Sequence, residues 1–226
     1  MLQTIEMAAR NSSLAASGTE WQRAIPWPEP SPSPMRISHF DMSHRVCPWW
    51  MGYLLASPLR RLTQSPDKIL QPFVRPGMTV LEPGPGMGYF TLPMANMVGP
   101  SGRVVAVDVQ PRMLAGLRRR AAKRGLLERL DLRLAQPQTM GLADLSGRID
   151  FVLAFAVAHE MPSPAVFFTE TAQALKQNAG MLLAEPAGHV NASDFDGELE
   201  HAVRAGLRIA SRPELPRSRA AFLTRI

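Results

Sequence analysis

Thr79-Val80-Leu81-Glu82-Pro83-Gly84-Pro85-Gly86-Met87-Gly88-Tyr89-Phe90 is the stretch that decides how this chain folds. Its first part is apolar and β-branched, as in a buried strand, and it then breaks into a glycine-rich turn that leads into a helix. Glycines permit a positive φ and let the backbone approach a ligand, because no Cβ stands in the way. In open α/β sheets the same geometry binds nucleotide-bearing cofactors at the carboxyl ends of strands. The stretch therefore predicts a cofactor site at the end of a parallel strand.

Two details of this stretch narrow the kind of cofactor. The glycines follow a Gly-x-Gly-x-Gly pattern, and Tyr89 stands where a dinucleotide fingerprint has its third glycine. Glu82 comes just before the first glycine, where its carboxylate would repel a diphosphate. A carboxylate at that position suits a ligand that has an amine and no phosphate, and S-adenosylmethionine is such a ligand.

A second apolar segment, Arg103-Val104-Val105-Ala106-Val107-Asp108, ends in an acid about 20 residues beyond the glycine turn. An acid there can accept hydrogen bonds from both hydroxyls of a ribose. With these segments the chain resembles the class I S-adenosylmethionine-dependent methyltransferases, and within them the quinone-biosynthesis-type, methyltransferase type 11-like branch that acts on small molecules. The matching segments are VLEPGPGMGYFT, VVAVDVQPRML, IDFVLAFAVAHEM and ALKQNAGMLLAEP, in the family's order and at its separations. The resemblance runs from about Pro48 to the end of the sequence.

Strand and helix signals alternate after the glycine turn, and the strands are apolar throughout, which indicates burial on both faces. The expected fold class is α/β, a three-layer Rossmann-like sandwich with a seven-stranded, mostly parallel sheet, an antiparallel last strand and helices on both faces. Strands are predicted near residues 78–83, 103–108, 129–134, 149–155, 180–185, 207–212 and 219–225. Helices are predicted near residues 49–61, 65–74, 88–98, 111–124, 163–177 and 194–205. The connection through Pro213 and Pro216 is too short for a parallel crossover, so the last two strands are expected to form a hairpin.

Three segments are predicted along the chain. Residues 1–34 are expected to form a flexible tail, because prolines at nearly every second position of the stretch 26–34 block both helix and ladder bonding. Residues 35–76 are expected to form a helical lid, and residues 77–226 an S-adenosylmethionine-binding methyltransferase domain.

Composition limits the setting in which the chain works. Its 226 residues, 46% of them hydrophobic, can bury one sizeable core, and no apolar stretch is long enough to span a bilayer. The absence of a secretory-type apolar core near the start and the single cysteine, Cys47, favour a cytoplasmic protein. The net charge of +6 raises the question of nucleic acid. The basic run at residues 118–124 is read either as a solvated helix face or as such a contact.

For the cofactor, the resemblance implies S-adenosyl-L-methionine, with S-adenosyl-L-homocysteine as the product. Glu82 is expected to bind its amino group directly or through water, the glycines to line its methionine portion, and Asp108 to bind its ribose. The alternatives are a tight turn without ligand and, for Asp108, a helix N-cap. The predicted cofactor-binding residues are Glu82, Gly84, Pro85, Gly86, Gly88, Asp108, Val109, Met113, Gln136, Phe155 and Ala156. Gln136 departs from the family, which often has an acid there for the adenine amino group.

The methyl acceptor is expected beside His159 and Glu160, which follow the fourth strand and are the predicted catalytic residues. His159 titrates near neutrality and can take a proton from a hydroxyl, thiol or activated carbon. The alternative is that both residues only cap a helix or bond to the backbone. Glu185 and His189 follow the fifth strand and are assigned to the substrate side, with a structural bond to a neighbouring loop as the alternative for Glu185.

An aromatic segment before the first strand is expected to close over this site as a substrate lid. Its predicted members are His44, Trp49, Trp50 and Tyr53. The alternative for the tryptophans is packing on the sheet. The spacing of His39, His44 and Cys47 matches no strong zinc pattern, so no metal is predicted.

Three functions stay open from the sequence. The leading one is methyl transfer to a small, partly apolar acceptor by a monomer or homodimer. The second is methylation of RNA or DNA, which the basic balance favours but for which no base-methylation motif or appended nucleic-acid module is present. The third is a non-catalytic protein that binds the cofactor. A thiol relay for arsenite is set aside because Cys47 is the only cysteine.

Overall fold

The computed structural model describes residues 64–226, which form one seven-stranded sheet with helices against both of its faces. The strands are β1 (Thr79–Pro83), β2 (Arg103–Asp108), β3 (Leu130–Leu134), β4 (Ile149–Phe155), β5 (Leu175–Pro186), β6 (Leu207–Ser211) and β7 (Ser218–Arg225). The helices are α1 (Pro66–Leu70), α2 (Thr91–Val98), α3 (Pro111–Ala122), α4 (Pro164–Ala174) and α5 (Ala192–Arg204). The predicted fold class is confirmed.

The strand order is β3-β2-β1-β4-β5-β7-β6, and the first five strands are parallel. Strands β1, β2 and β3 follow one another toward one edge of the sheet. The chain then crosses back and places β4 on the other side of β1, with the remaining strands beyond it. In open sheets the point where the order reverses leaves a crevice beyond the carboxyl ends of the two central strands. Here that crevice lies above β1 and β4, so the glycine turn and the segment after β4 meet at it.

The apolar strand residues serve two cores, one on each face of the sheet. Within β2, Val104 belongs to the core beneath α2 and α3, and Val105 to the core beneath α4 and α5. Both side chains are fully buried. This alternation explains why the strands are apolar without a period of two in the sequence, because each of their faces is covered by helices.

Two element boundaries differ from the predicted ones for backbone reasons. Helix α2 begins at Thr91 and not near residue 88, because Gly88 has a φ of +87°, which no α-helix accommodates. Strand β5 begins at Leu175, where a helix to residue 177 was predicted. Leu175 is extended and pairs with Ile149, and the register then shifts before Gly180 pairs with Phe151. The tertiary pairing of Leu175 overrides the helical pattern.

The C-terminal hairpin is present as predicted. Strands β6 and β7 are antiparallel, and β7 inserts between β5 and β6. Because β7 runs against β5, its first residue, Ser218, pairs with Pro186 at the carboxyl end of the sheet.

The predicted tail at residues 1–34, the helix at 49–61 and most of the lid segment at 35–76 lie outside the described residues. Within residues 64–226 no helix combines the length and the apolar character needed to cross a bilayer.

Candidate active site

The glycine turn joins β1 to α2 and is held as a tight loop. Gly84, Gly86 and Gly88 have φ values of +64°, +53° and +87°, a region that other L-residues rarely adopt. The N–H of Gly84 extends the ladder by donating to the carbonyl of Val107 at 2.9 Å. The N–H of Gly88 donates to the carbonyl of Pro85 at 2.9 Å and closes the turn. The backbone conformation thus favours glycine at all three positions.

The three glycines differ in what lies beside them. A Cβ on Gly84 would stand 2.6 Å from Val157 Cγ2, and one on Gly88 would stand 2.5 Å from Leu117 Cδ1. A Cβ on Gly86 would meet no atom within 4 Å. The open side of the turn is therefore at Gly86, and this is where the backbone can approach a ligand. The prediction that the glycines and Pro85 line the cofactor stays a prediction, and the contacts favour Gly86 most.

Glu82 lies beneath this turn as a buried carboxyl group, 4% exposed. The hydroxyl of Thr91, at the start of α2, donates to its Oε2 atom at 2.5 Å. Burial raises the pKa of Glu82 to about 8, against the opposing effect of the Thr91 hydrogen bond. A cationic amine would restore the charge of this carboxyl group, so the site favours a ligand that brings one.

Asp108 ends β2 and binds the neighbouring backbone. Its Oδ1 accepts from the N–H of Gln110 at 2.8 Å, and the N–H groups of Gly86 and Val109 lie near enough to the carboxylate to lower its pKa. Burial raises the pKa of Asp108 to about 6, while these backbone donors lower it. Residue Gln110, and not Asp108, is the N-cap of α3, and no side chain caps this helix, so the N-cap alternative for Asp108 is wrong. The predicted ribose contact of Asp108 stays a prediction.

Two apolar side chains are exposed beside Asp108 on the side of β3. Val109 is 43% exposed, and Leu134, the register partner of Asp108 in β3, is 54% exposed. Such apolar exposure at the ends of two adjacent strands suits the faces of a planar ring. Met113, predicted to flank the ring, is 3% exposed within the core, and Gln136 is exposed in a short bridge with Thr139. Leu134 was missed because an exposed leucine has no signature in the sequence.

The end of β4 carries a strained backbone. Ala156 has a φ of +56°, which costs a residue with a Cβ roughly 1–2 kcal/mol. The preceding ring, Phe155, contacts Phe90 with 4.6 Å between ring centroids. Strain of this kind persists where the surroundings fix the backbone, and functional sites often store it. Phe155 and Ala156 thus border the crevice, as the sequence predicted for cofactor contacts, although no ligand contact tests them.

Glu185, at the end of β5, fixes the segment that follows β4. It is fully buried, and its Oε1 accepts from the N–H groups of Val157 (3.2 Å) and Ala158 (2.7 Å). Its Oε2 lies 2.5 Å from His159 Nδ1. The carboxylate that was assigned to the substrate side therefore also binds the loop, as its alternative interpretation proposed, and orients a predicted catalytic histidine.

His159 is presented to the site by this contact. Because Nδ1 donates to the Glu185 carboxylate, the neutral ring has its lone pair on Nε2. Nε2 has no hydrogen-bond partner among residues 64–226. The Glu185 hydrogen bond raises the pKa of His159, against the effect of burial. A histidine held in this way can accept a proton at Nε2, which is the arrangement that base catalysis needs.

Two further groups, one aromatic and one charged, act on the surroundings of His159. The ring of His189, assigned to the substrate side, lies 6.3 Å from it between centroids. The charge of Glu160, in the same one-turn 3-10 helix (Ala158–Glu160), acts on both His159 and Asp108. Glu160 therefore acts electrostatically on a residue of each side of the predicted site.

Glu198, on α5, is a member of this cluster that the sequence analysis missed. It is 8% exposed, and its Oε2 has no hydrogen-bond partner in the described part of the chain. Burial and the charge of Glu185 raise the pKa of Glu198 to about 8. Nothing in the helical pattern distinguishes it from a surface glutamate, so the sequence contained no signal for it.

The structure thus brings together Glu82, Gly86 and Asp108 on one side, and His159, Glu185 and His189 on the other. The predicted lid residues His44, Trp49, Trp50 and Tyr53 lie outside the described residues. Among the residues that are described, no group of three or more His, Cys, Asp or Glu side chains is placed to hold a metal ion.

The sequence is similar to those of known methyltransferases. Residues 75–211 match the family model of a methyltransferase domain. The chain is 32% identical over 119 residues to an arsenite methyltransferase of Halobacterium salinarum, a match that covers 53% of this chain and 27% of the relative. It is 33% identical over 150 residues to a ribosomal protein L11 methyltransferase of Pelotomaculum thermopropionicum, which covers 65% of this chain and 44% of the relative. The matches therefore span less than half of either relative.

A solved structure has a closely similar fold. It is a SAM-dependent methyltransferase from Aquifex aeolicus with a TM-score of 0.72 and 23% identity, and the match covers 80% of this chain and all of that one. At this identity the likeness shows the fold alone, and it agrees with the seven-stranded sheet described above.

Proposed function

The chain belongs to the methyltransferase-domain family that its residues 75–211 match, and on that premise we propose that it transfers a methyl group from S-adenosylmethionine to a small, partly apolar acceptor. The observation that carries the proposal is the open face of Gly86, whose N–H lies beside the Asp108 carboxylate while Glu82 lies buried beneath the same turn. One carboxyl group suits ribose hydroxyls and the other a cationic amine. The residues present therefore fit this cofactor.

One group of residues is assigned to the cofactor and another to the acceptor. Asp108 holds the ribose, Val109 and Leu134 cover the adenine, and Glu82 receives the amino group. Bound there, the cofactor supplies an electrophilic methyl group on a sulfonium. Alignment of the acceptor and exclusion of water do most of what such a transfer needs.

His159 serves as the base for an acceptor that must lose a proton. Glu185 holds Nδ1, so Nε2 would take the proton from the hydroxyl, thiol or activated carbon of the acceptor. That acceptor atom would gain the methyl carbon, whose bond to sulfur breaks with the electron pair left on the sulfur. The resulting imidazolium is stabilised by the buried Glu185 carboxylate. The imidazolium gains one positive charge and the sulfonium loses one, so the net charge is unchanged by the reaction.

Titration calorimetry tests the cofactor half of the proposal. The protein should bind S-adenosylmethionine and S-adenosylhomocysteine with micromolar affinity, and NAD should not bind. Binding of NAD alone would mean that the turn accepts a diphosphate beside Glu82, so that it is a dinucleotide site and the interpretation of Glu82 is wrong.

A methyl-transfer screen with isotope-labelled cofactor tests the acceptor half. The small molecules are phenols, quinones and thiols, and tRNA and ribosomal protein are included as competing acceptors. The proposal expects labelled small molecules, with turnover lost in His159→Asn. Labelling of tRNA and of no small molecule would contradict it, and binding without any turnover would favour a non-catalytic cofactor-binding protein.

The basic run does not form a uniform basic surface, so it does not favour the nucleic-acid alternative. Arg118 and Arg119 are exposed on α3, but Arg120 is partly buried and donates to the backbone of the glycine turn. An RNA substrate would in addition give an affinity that falls steeply with salt.

A further inference from the structure

Arg120 lies in the middle of the basic run and points inward, toward the glycine turn. Its Nη1 donates to the carbonyl of Met87 at 2.5 Å. Burial and the charge of Arg124 lower the pKa of Arg120. This hydrogen bond restrains the Met87 peptide strongly, because the donor is a partly buried guanidinium and charge-assisted hydrogen bonds are stronger than neutral ones.

The Met87 peptide is also held from its other side. The Gly88 N–H, in the same peptide unit as the Met87 carbonyl, donates to Pro85 at 2.9 Å. Both polar atoms of this unit are therefore bonded, and its plane cannot rotate without breaking one of them. The N–H of the preceding residue, Gly86, lies near enough to the Asp108 carboxylate to lower its pKa.

Helix α3 packs tightly against the same turn. A Cβ on Gly116 would stand 3.1 Å from Met87 Cγ, and a Cβ on Gly88 would stand 2.5 Å from Leu117 Cδ1. Met87 is 3% exposed. The turn thus rests on one face of α3, and Arg120 ties its backbone to that face.

We propose that Arg120 is a positioning residue that holds the glycine turn in the conformation that receives the methionine portion of the cofactor. The inference rests on the proposed function, since it assigns that portion to the turn. Asp108 and Arg120 fix the turn from its two ends, and the open face of Gly86 lies between them. Loss of Arg120 leaves Asp108 and the exposed Val109 in place, so the adenosine portion keeps its contacts.

Two ligands separate these portions. S-adenosylhomocysteine contains both, and 5′-methylthioadenosine lacks the amino acid. In Arg120→Met we expect the affinity for S-adenosylhomocysteine to fall about tenfold, as for a turn that adopts the binding conformation about a tenth of the time, while that for 5′-methylthioadenosine stays within about twofold. Arg120→Lys, which keeps a charged donor, should recover part of the loss. Arg119→Met removes an exposed arginine from the same helix and should change neither affinity.

Equal losses for both ligands in Arg120→Met would overturn the proposal, because they would indicate a general structural role. Unchanged affinities would overturn it as well. If the wild-type protein binds neither ligand, the proposed function is refuted. The role of Arg120 in holding the turn is then tested in the ligand-free protein.

Hydrogen exchange in the ligand-free protein makes that separate test. If Arg120 holds the turn, the amides of Gly86 and Gly88 should exchange faster in Arg120→Met than in wild type and in Arg119→Met. Equal exchange in the three proteins would overturn the positioning role, whatever the ligands do.

Discussion

The hydroxyl of Thr91, the first residue of α2, donates to the carboxyl group of Glu82 in β1 at 2.5 Å, beneath the glycine turn. This contact joins the strand and the helix on either side of the turn, and it is the only side-chain hydrogen bond that Glu82 makes with the residues described. The carboxyl group is otherwise surrounded by the core, which explains why burial raises the pKa of Glu82 to about 8.

Glu82 should make the stability of the free protein depend on pH. The folded protein retains the proton up to about pH 8, while the unfolded chain loses it near the ordinary pKa of 4.5. Over that interval the native state binds more protons, so its free energy of unfolding falls as pH rises. Glu82→Gln removes this dependence, and the variant should gain stability relative to wild type between pH 5 and about 9, as measured by urea unfolding.

Two other groups also have raised pKa values. Glu198 is present in both proteins and cancels in the difference. The charge of Asp108 acts on Glu82, so the difference reports the titration of this pair and not of Glu82 alone. Glu200→Gln, on the exposed face of α5, is the matched control and should add no such dependence. A stability difference between Glu82→Gln and wild type that stays constant with pH would show that Glu82 is already ionised in the folded state.

Gly86 should be needed for the ligand more than for the fold. Gly86→Ala meets no atom within 4 Å and costs only the positive φ, roughly 1–2 kcal/mol. Gly125→Ala, just beyond α3, has the same open space and a φ of +64°, so it should lose a similar amount of stability. We expect calorimetry to show weaker S-adenosylhomocysteine binding in the first variant only. Equal affinities would place the cofactor elsewhere.

Gly88→Ala should behave in the opposite way in unfolding measurements. Its new methyl group would stand 2.5 Å from Leu117 and near Leu92, in the core, on top of the cost of a φ of +87°. We therefore expect its loss of stability to exceed that of Gly86→Ala. Similar losses in the two variants would mean that α3 moves aside without cost.

The fold was readable from the sequence to an unusual extent because buried parallel strands are apolar without interruption. Strand β2 was placed at its observed bounds, Arg103–Asp108, since every residue after the first is buried and the acid marks the end. The start of β5 was not readable, because Leu175 joins the sheet through its pairing with Ile149, which local propensity does not encode.

The candidate site was only partly readable, for the same reason. Glycines and acids at strand ends announce themselves, so Glu82, Gly86 and Asp108 were identified. The partnership of His159 with Glu185 depends on the adjacency of β4 and β5 and was left between two interpretations. Arg120 was read with its neighbours as part of a basic run, because a sequence does not show which member of a run turns inward.

Asp108→Asn should weaken cofactor binding while the fold persists. The amide retains an acceptor oxygen for Gln110, but it is neutral and meets the ribose hydroxyls less well, which costs roughly 1–3 kcal/mol of binding free energy. In wild type, the affinity should also fall as pH is lowered through about 6, the pKa of Asp108, because the protonated group is a poorer acceptor. Calorimetry between pH 5 and 8 measures both effects, and unchanged affinity in the variant would refute the ribose assignment.

Glu185→Gln should change the titration of His159. The glutamine oxygen can still accept from Val157 and Ala158, so the loop after β4 keeps its anchor, but the negative charge beside Nδ1 is lost. Since that contact is the main cause of the raised pKa of His159, the midpoint of its side-chain NMR titration should fall toward the ordinary value of 6.5. The resonances of His201, on α5, provide an internal reference.

The same variant separates a base from a structural histidine. A base acts only when it is neutral, so the rate of methyl transfer in wild type should rise with pH through the raised pKa of His159. In Glu185→Gln the rise should move to lower pH together with the NMR midpoint, and the plateau should drop because the imidazolium loses its counter-charge. If the NMR midpoint shifts and the rate profile does not, the proton of the acceptor leaves by another route, and His159 serves to hold the loop against β5.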